Sequence, residues 1–277
     1  VGSLLDDRCI VEAKIKRDTF IAIPSLDAFP ELVHGFTTRF GGVSTGDYAT
    51  LNLNFNRPDP ESNVKKNYEI LSNELEVPLD NMVLSHQVHD KRILKVTKEH
   101  RGMGIVRERS YKNIDGLVTQ EPCLMLVTYY ADCVPIYFYD PVDKVIGLAH
   151  SGWRGTLLNI GGETVRAMKE SFGCSPENVF VSFGPHIKTC CFEVDHDVAD
   201  VFISTYTWAG SYITKRAGKW IIDLESIIIK NLTEQGVLER NISGCRICTK
   251  CNSDVFFSHR GSKNQTGTGA AFLMIRG

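Results

Sequence analysis

Two short apolar runs rich in aromatic and β-branched residues, Val134 to Tyr139 and Val145 to Ala149, flank the segment Asp140-Pro141-Val142-Asp143-Lys144. Proline fixes one backbone angle and removes a donor, and aspartate side chains bond their own backbone in turns, so this segment reverses the chain. The pattern predicts an antiparallel hairpin of two buried strands. With Tyr139 facing Val145, counting back along both strands sets Cys133 opposite Ser151, beside His150. A separation of 17 residues then shrinks to a neighbouring-strand distance of about 5 Å. A thiol and an imidazole, both able to ligate a metal, meet at one end of the hairpin.

The flanking chain mixes helix and strand signals. Val64, Tyr68, Leu71 and Leu75 share one helical face, which predicts a helix over 62–77 with Ser62 as N-cap and Pro78 just beyond its end. Residues 34–56 read as strand and loop. Residues 82–96 read as a strand interrupted near Gln87. Leu124 to Tyr130 and Asn178 to Phe183 read as buried strands. Helices are expected over 161–173, 193–206 and 223–235, the last capped by Asp223 and followed by Gly236. There is no regular βαβ alternation, so the expected class is α+β. With 277 residues and 43% hydrophobic content, the chain can bury a full core near the upper size of one domain.

Composition narrows the function. A net charge of -2 and a pI near 6.5, with Lys and Arg scattered, give no electrostatic reason for a nucleic acid or an anionic membrane as partner. Small neutral or mildly anionic substrates remain. No apolar run reaches the roughly 18 residues a membrane span needs, and the start Val1-Gly2-Ser3-Leu4 lacks a signal-peptide layout. Nine cysteines are an odd number in a long chain, which favours reduced thiols and a cytoplasmic location.

Taken singly, a buried Cys is a small hydrophobe and a lone His a satisfied polar residue. A second His from another strand would complete a Cys-His-His set, which gives zinc three protein ligands and leaves its fourth position open for catalysis. His86 and His89 compete for that place, and on a strand they face opposite sides. The turn Ala149-His150-Ser151-Gly152-Trp153-Arg154-Gly155-Thr156 presents backbone N–H groups and a guanidinium suited to phosphate, or is a tight turn with an exposed arginine. Thr38-Arg39-Phe40-Gly41-Gly42-Val43-Ser44 carries a weaker version. Asp132 and Asp115 are possible proton carriers, although aspartates beside turns are usually caps. Cys245-x-x-Cys248-x-x-Cys251 invites a second metal reading without an evident fourth ligand, and loop thiols are its default. Phosphate-loop and zinc base-deaminase signatures are absent.

Six motifs in order resemble one family: Thr38 to Ser44, Leu51-Asn52-Leu53, Gln87-Val88-His89, Ala131-Asp132-Cys133-Val134-Pro135, His150-Ser151-Gly152-Trp153-Arg154-Gly155, and Gly184-Pro185-His186-Ile187. Together they are similar to the YfiH/YlmD-type proteins, once labelled polyphenol oxidase or laccase-like, over about residues 34–275. The resemblance implies a four-layer α/β/β/α fold with mixed sheets, a single catalytic domain over 34–277 and an N-terminal extension, 1–33, packed on it. It implies zinc held by His89, Cys133 and His150, which favours His89 over His86. It also implies phosphorolysis of adenosine, inosine, guanosine and S-methyl-5′-thioadenosine, with phosphate as co-substrate, and deamination of adenosine. Arg39, Asn52 and Ser151 would then contact substrate, while Asp132, Arg154 and Cys133 would take part in catalysis. Where relatives show F-S-Y-R-R and T-G-R, this chain has Phe257-Ser258-His259-Arg260 and Thr266-Gly267-Thr268, with two fewer basic positions. Residues 97–112 also look longer than the bacterial counterpart.

Three other expectations compete. A copper-dependent phenol oxidase suits a His-His-Cys set, but a multicopper centre needs more histidines, commonly as H-x-H pairs. A cysteine hydrolase would use Cys133 as nucleophile and His150 as base. A zinc-stabilised interaction module would use the thiol-rich tail without catalysis.

Overall fold

A computed structural model describes residues 19–262 and 265–277. The first 18 residues of the expected N-terminal extension lie outside the described residues. The described chain begins with strands β1 (Phe20–Ile21) and β2 (Leu32–Thr37), followed by helix α1 (Glu61–Leu75). Six strands come next: β3 (Met82–Leu84), β4 (Ile93–Lys95), β5 (Gly116–Thr119), β6 (Met125–Tyr130), β7 (Val134–Asp140) and β8 (Val145–Ser151). Helices α2 (Trp153–Leu157) and α3 (Ile160–Phe172), strands β9 (Phe180–Phe183) and β10 (Glu193–Val194), and helix α4 (His196–Thr205) lead to the hairpin β11 (Ile213–Arg216) and β12 (Lys219–Ile222). Helix α5 (Leu224–Glu234), β13 (Ile242–Ser243) and β14 (Gly269–Ile275) close the fold.

Two mixed sheets, ordered β1-β2-β14-β6-β3 and β13-β9-β7-β8-β5-β4, form the centre, and β10-β12-β11 is a small satellite. Three apolar clusters define four layers. Phe36, Leu126 and Leu273 of the first sheet meet Leu117, Tyr137 and Leu148 of the second. Outside the first sheet, Val64, Tyr68 and Leu71 of α1 pack on Met125, Val127 and Phe272. Outside the second, α3, α4 and α5 cover Val118, Ile136 and Val181 with Met168, Phe202 and Ile227. Tyrosine hydroxyls satisfy backbone between the sheets: Tyr137 donates to Gly35 O at 2.8 Å and Tyr130 to Ala149 O at 3.0 Å. The architecture is the expected α+β, α/β/β/α arrangement. No helix among the described residues is long and apolar enough to cross a membrane.

Four local expectations are corrected. Helix α1 starts at Glu61 with Pro60 at its N-cap and no side-chain cap, so Ser62 lies inside the first turn. The neighbouring carboxylate that does organise this entry is Asp59, which accepts from Ser44, Asn52 and Asn63 side chains. The β7–β8 register pairs Asp140 with Val145 and Val134 with Ser151, one residue from the predicted alignment. Asp140 Oδ1 accepts the Val142 and Asp143 N–H groups, so Asp140 belongs to the strand and the reversal needs four residues. Residues 193–206 divide into β10 and the shorter α4.

The fourth correction positions the site. Residues 82–96 are not one interrupted strand: β3 pairs with β6 in the first sheet, and β4 with β5 in the second. Between them the chain crosses from sheet to sheet, carrying His86, Gln87 and His89 past the open end of the β7–β8 hairpin.

Candidate functional site

The crossing segment is fixed by one buried carboxylate. Asp115, fully buried just before β5, accepts the backbone N–H groups of Val88, His89 and Asp90, each at 3.0 Å. Three successive amides converging on one anion form a nest, and they offset the cost of holding His89 at φ 64. Strand alternation therefore does not apply here, and His86 and His89 both line the same cavity. His86 Nδ1 accepts the Asn113 N–H at 3.0 Å, whereas His89 turns Nε2 toward Cys133 Sγ at 3.9 Å. Gln87 is anchored on β6, where its amide exchanges hydrogen bonds with Tyr129 N and O.

The same carboxylate orients the second imidazole. His150 Nδ1 donates to Asp115 Oδ1 at 2.9 Å, which leaves Nε2 as the ligating atom. One ligand atom each from His89, Cys133 and His150 lies within 4.8 Å of the other two. Tetrahedral zinc, with bonds near ~2.0 Å to nitrogen and ~2.3 Å to sulfur, separates such atoms by about 3.6 Å, so these residues fit the ion. Burial works against ionisation of Cys133, but the His150 and His89 imidazoles outweigh it and bring the thiol down to about 6. Burial likewise lowers His150, yet Cys133 and Asp115 raise it to about 9. Together they stabilise the thiolate that a metal requires.

Gly152 leaves room for the centre. A Cβ at this position would stand 2.9 Å from His89 Cδ2 and 3.0 Å from Cys133 Sγ. Its φ of -75 suits any residue, so Gly152→Ala is expected to leave the melting temperature nearly unchanged. Bound metal should instead fall by about 10-fold or more at limiting zinc, the scale on which shifted ligands lower affinity. Titration with a chromogenic chelator and a thermal melt check the two halves.

The centre opens into a cavity of about 420 Å³, within the range of small-molecule sites. Arg57, Arg109, Arg154 and Arg260 line it, and Asp132 is its one carboxylate among the described residues. Arg154 is exposed, with its guanidinium 4.4 Å over the Trp153 ring. Arg109 donates to Tyr129 Oη at 3.2 Å. Arg57 donates to Thr268 Oγ1 at 3.1 Å, so a cation stands at the wall where the tail motif has lost its arginine. Sequence reasoning missed Arg57 and Arg109, since neither sits in a motif.

The other candidates fall in different places. Asp132, at φ 88, accepts from Thr249 Oγ1, Ser258 Oγ and Arg260 N, each at 2.7 Å, and so ties the C-terminal segment beside Cys133. Arg39 lies outside the cavity lining, donating to Ala49 O and Ser253 O and stacking on Phe257. Asn52 is fully buried and accepts the N–H of Thr268, which does line the cavity. Ser151, also buried, bonds Thr156 Oγ1 at 2.9 Å.

A family model described as multi-copper polyphenol oxidoreductase laccase matches residues 33–276. The chain is 35% identical over 249 residues to the purine nucleoside phosphorylase YlmD of Bacillus subtilis, covering 89% of each. It is 32% identical over 256 residues to the purine nucleoside phosphorylase LACC1 of Homo sapiens, covering 88% of this chain and 56% of that longer protein. The crystal structure of YlmD from Geobacillus stearothermophilus superposes with a TM-score of 0.88 at 34% identity, covering 95% of this chain and 98% of that one. That of the Bacillus licheniformis hypothetical protein YfiH gives 0.89 at 31%, with the same coverage. By sequence over nearly its whole length and by architecture, the chain belongs to the multi-copper polyphenol oxidoreductase laccase family, alongside the YfiH and YlmD proteins.

Proposed function

We propose that this chain is a cytoplasmic, zinc-dependent purine nucleoside enzyme. It cleaves adenosine, inosine, guanosine and S-methyl-5′-thioadenosine with phosphate, yielding the base and ribose 1-phosphate or its methylthio counterpart, and it deaminates adenosine to inosine. The observation that carries this reading is the cavity itself: among the described residues, two imidazoles and a thiol form one wall, and four arginines face a space whose single carboxylate is engaged by three donors. The relatives named purine nucleoside phosphorylases support it.

Guanidinium groups bind phosphate through charge-assisted hydrogen bonds, offset its charge and hold it for attack on the nucleoside C1′. As the new C1′–O bond forms, the C1′–N9 bond breaks and its electron pair leaves with the purine, which takes up a proton. His86 accepts at Nδ1, so its neutral ring carries the proton on Nε2, a donor in the cavity wall. Asp132 and Asn52 act by position, holding Arg260 and Thr268 in place. Zinc held by His89, Cys133 and His150 supplies Lewis acidity.

Among the described residues, His89, Cys133 and His150 are the one histidine-containing donor group. A multinuclear copper centre needs more imidazoles, so phenol oxidation is the weaker reading. A cysteine hydrolase has an observation of its own, because Asp115, His150 and Cys133 line up as carboxylate, imidazole and thiol. It leaves His89 without a task.

Incubating zinc-loaded protein with adenosine, with and without phosphate, tests the proposal by chromatography. Phosphate-dependent adenine and ribose 1-phosphate would establish phosphorolysis, and inosine would establish deamination. No product under either condition would reject it. Arg154→Ala should raise the KM for phosphate by ~10- to 100-fold, the loss of about 1.4–2.7 kcal/mol expected for a charged contact. Its melting temperature should barely move, since the side chain is exposed.

A further inference from the structure

Four cysteine sulfurs meet on the far side of the wall that carries Asp132. Cys190, Cys191, Cys248 and Cys251 offer ligand atoms that all lie within 4.8 Å of one another. Cys251 Sγ is 3.6 Å from Cys190 Sγ and 3.4 Å from Cys191 Sγ. Zinc bonded to four thiolates at ~2.3 Å sets neighbouring sulfurs about 3.8 Å apart, close to these separations. A four-iron cluster places each cysteine on a different iron and spreads the sulfurs farther. Of the Cys245-x-x-Cys248-x-x-Cys251 run, Cys248 and Cys251 enter the group and Cys245 is outside it, while the adjacent pair Cys190-Cys191 supplies two further donors.

We infer that these four thiolates hold a second zinc ion, distinct from the cavity centre, as a cross-link between the 186–192 and 245–252 segments. Binding releases the remaining thiol protons to solvent and forms four Zn–S bonds, with no oxidant or reductant needed. Burial and the neighbouring sulfurs push the Cys190 and Cys191 thiols up, and only Cys248 is held down, by the backbone N–H groups of Lys188 and Cys251. Such a set of mutually repelling sulfurs is relieved by a dication. Arg216 donates to Cys190 O at 3.1 Å and adds nearby positive charge.

The cross-link has a mechanical consequence. The two segments already touch through a bridge between His186 and Cys248, and Thr249 N donates to His186 O at 3.1 Å. Thr249 Oγ1 then holds Asp132, one residue before Cys133, and Ile187 and Phe192 line the cavity. Zinc at the four thiols fastens the outer support of this wall without touching substrate.

The test does not depend on catalysis. Full-length protein purified under reducing conditions and loaded with zinc should contain two ions per chain by elemental analysis. Cys133→Ala should keep one, and its cobalt-substituted form should show the strong near-ultraviolet thiolate charge-transfer bands of a tetrathiolate site. Cys190→Ser, at an exposed position, should weaken those bands and lower retention of that ion by at least ~10-fold. Loading zinc should slow iodoacetamide labelling of the four thiols by a similar factor. One ion in the parent chain with none in Cys133→Ala, a disulfide among these cysteines in non-reducing mass spectrometry, or iron in place of zinc would overturn the assignment.

Discussion

Cys133→Ala is expected to lose one metal ion per chain and to lower kcat/KM for phosphorolysis by ~10³-fold or more, since a Lewis acid supplies several kcal/mol of transition-state stabilisation. Stability should change by only about 1 kcal/mol, because alanine removes a single sulfur from a partly buried side chain at the edge of the inter-sheet core. The unchanged protein gives the complementary readout. Without metal, Cys133 ionises at about 6 despite its burial, because His150 and His89 stabilise the thiolate. Iodoacetamide labelling of Cys133 in metal-free protein should therefore rise through about pH 6 and level off by neutrality, instead of climbing toward the ~8.5 of an ordinary cysteine. Zinc should suppress labelling. A thiol that stays reactive in metal-loaded protein, or a variant that retains turnover, would transfer the chemistry to the cysteine-hydrolase reading.

Legibility in the sequence followed the range of the interactions. The β7–β8 hairpin is legible because its turn residues and its apolar runs are local, and that pairing alone brings Cys133 and His150 together. The register slipped by one because it was set by a side-chain choice, Asp140 capping the reversal from within the strand. The His86 or His89 ambiguity was not resolvable by strand alternation, since a buried anion 25 or more residues along the chain bends the backbone there. Asp115 reads from sequence as a possible proton carrier or a turn cap, and not as the anchor of the crossing segment, for the same reason: its partners come from two distant segments. Arg57 and Arg109 reach the cavity only once the sheets pack, and the four-sulfur group joins residues about sixty positions apart. Local patterns carried the elements, whereas the arrangement of charge around the cavity arises from their packing.

Asp115→Asn is expected to be the most destabilising single change at the site. Oδ1 accepts from His89 N and His150 Nδ1, and Oδ2 from Val88 N and Asp90 N. An asparagine keeps one acceptor oxygen and turns an NH₂ group against donors that the carboxylate had satisfied. With the residue fully buried, the loss should be ~3–5 kcal/mol, a fall in melting temperature on the order of 10 °C for a chain of this size. Zinc affinity should fall by a further ~10- to 100-fold, since His150 loses the partner that orients it. Asp132→Asn is the control: its carboxylate faces two hydroxyls that can reorient, and it should retain zinc. The pH dependence has a definite sign. Burial raises the Asp115 pKa, but His150 and the amides of Val88 and Asp90 bring it below the usual value. Its contribution is therefore present above the unfolded pKa of ~3.9 and is lost as pH falls through the lower folded value. In metal-free protein the His150 pKa is raised to about 9, so its contribution is complete below the unfolded value of ~6.5 and is lost as pH rises through about 9. Denaturant melts of metal-free protein should show the largest gap between parent and Asp115→Asn between these limits, closing in acid and in base. A gap that persists unchanged at pH 3 would mean that the carboxylate's charge is not what holds the crossing segment in place.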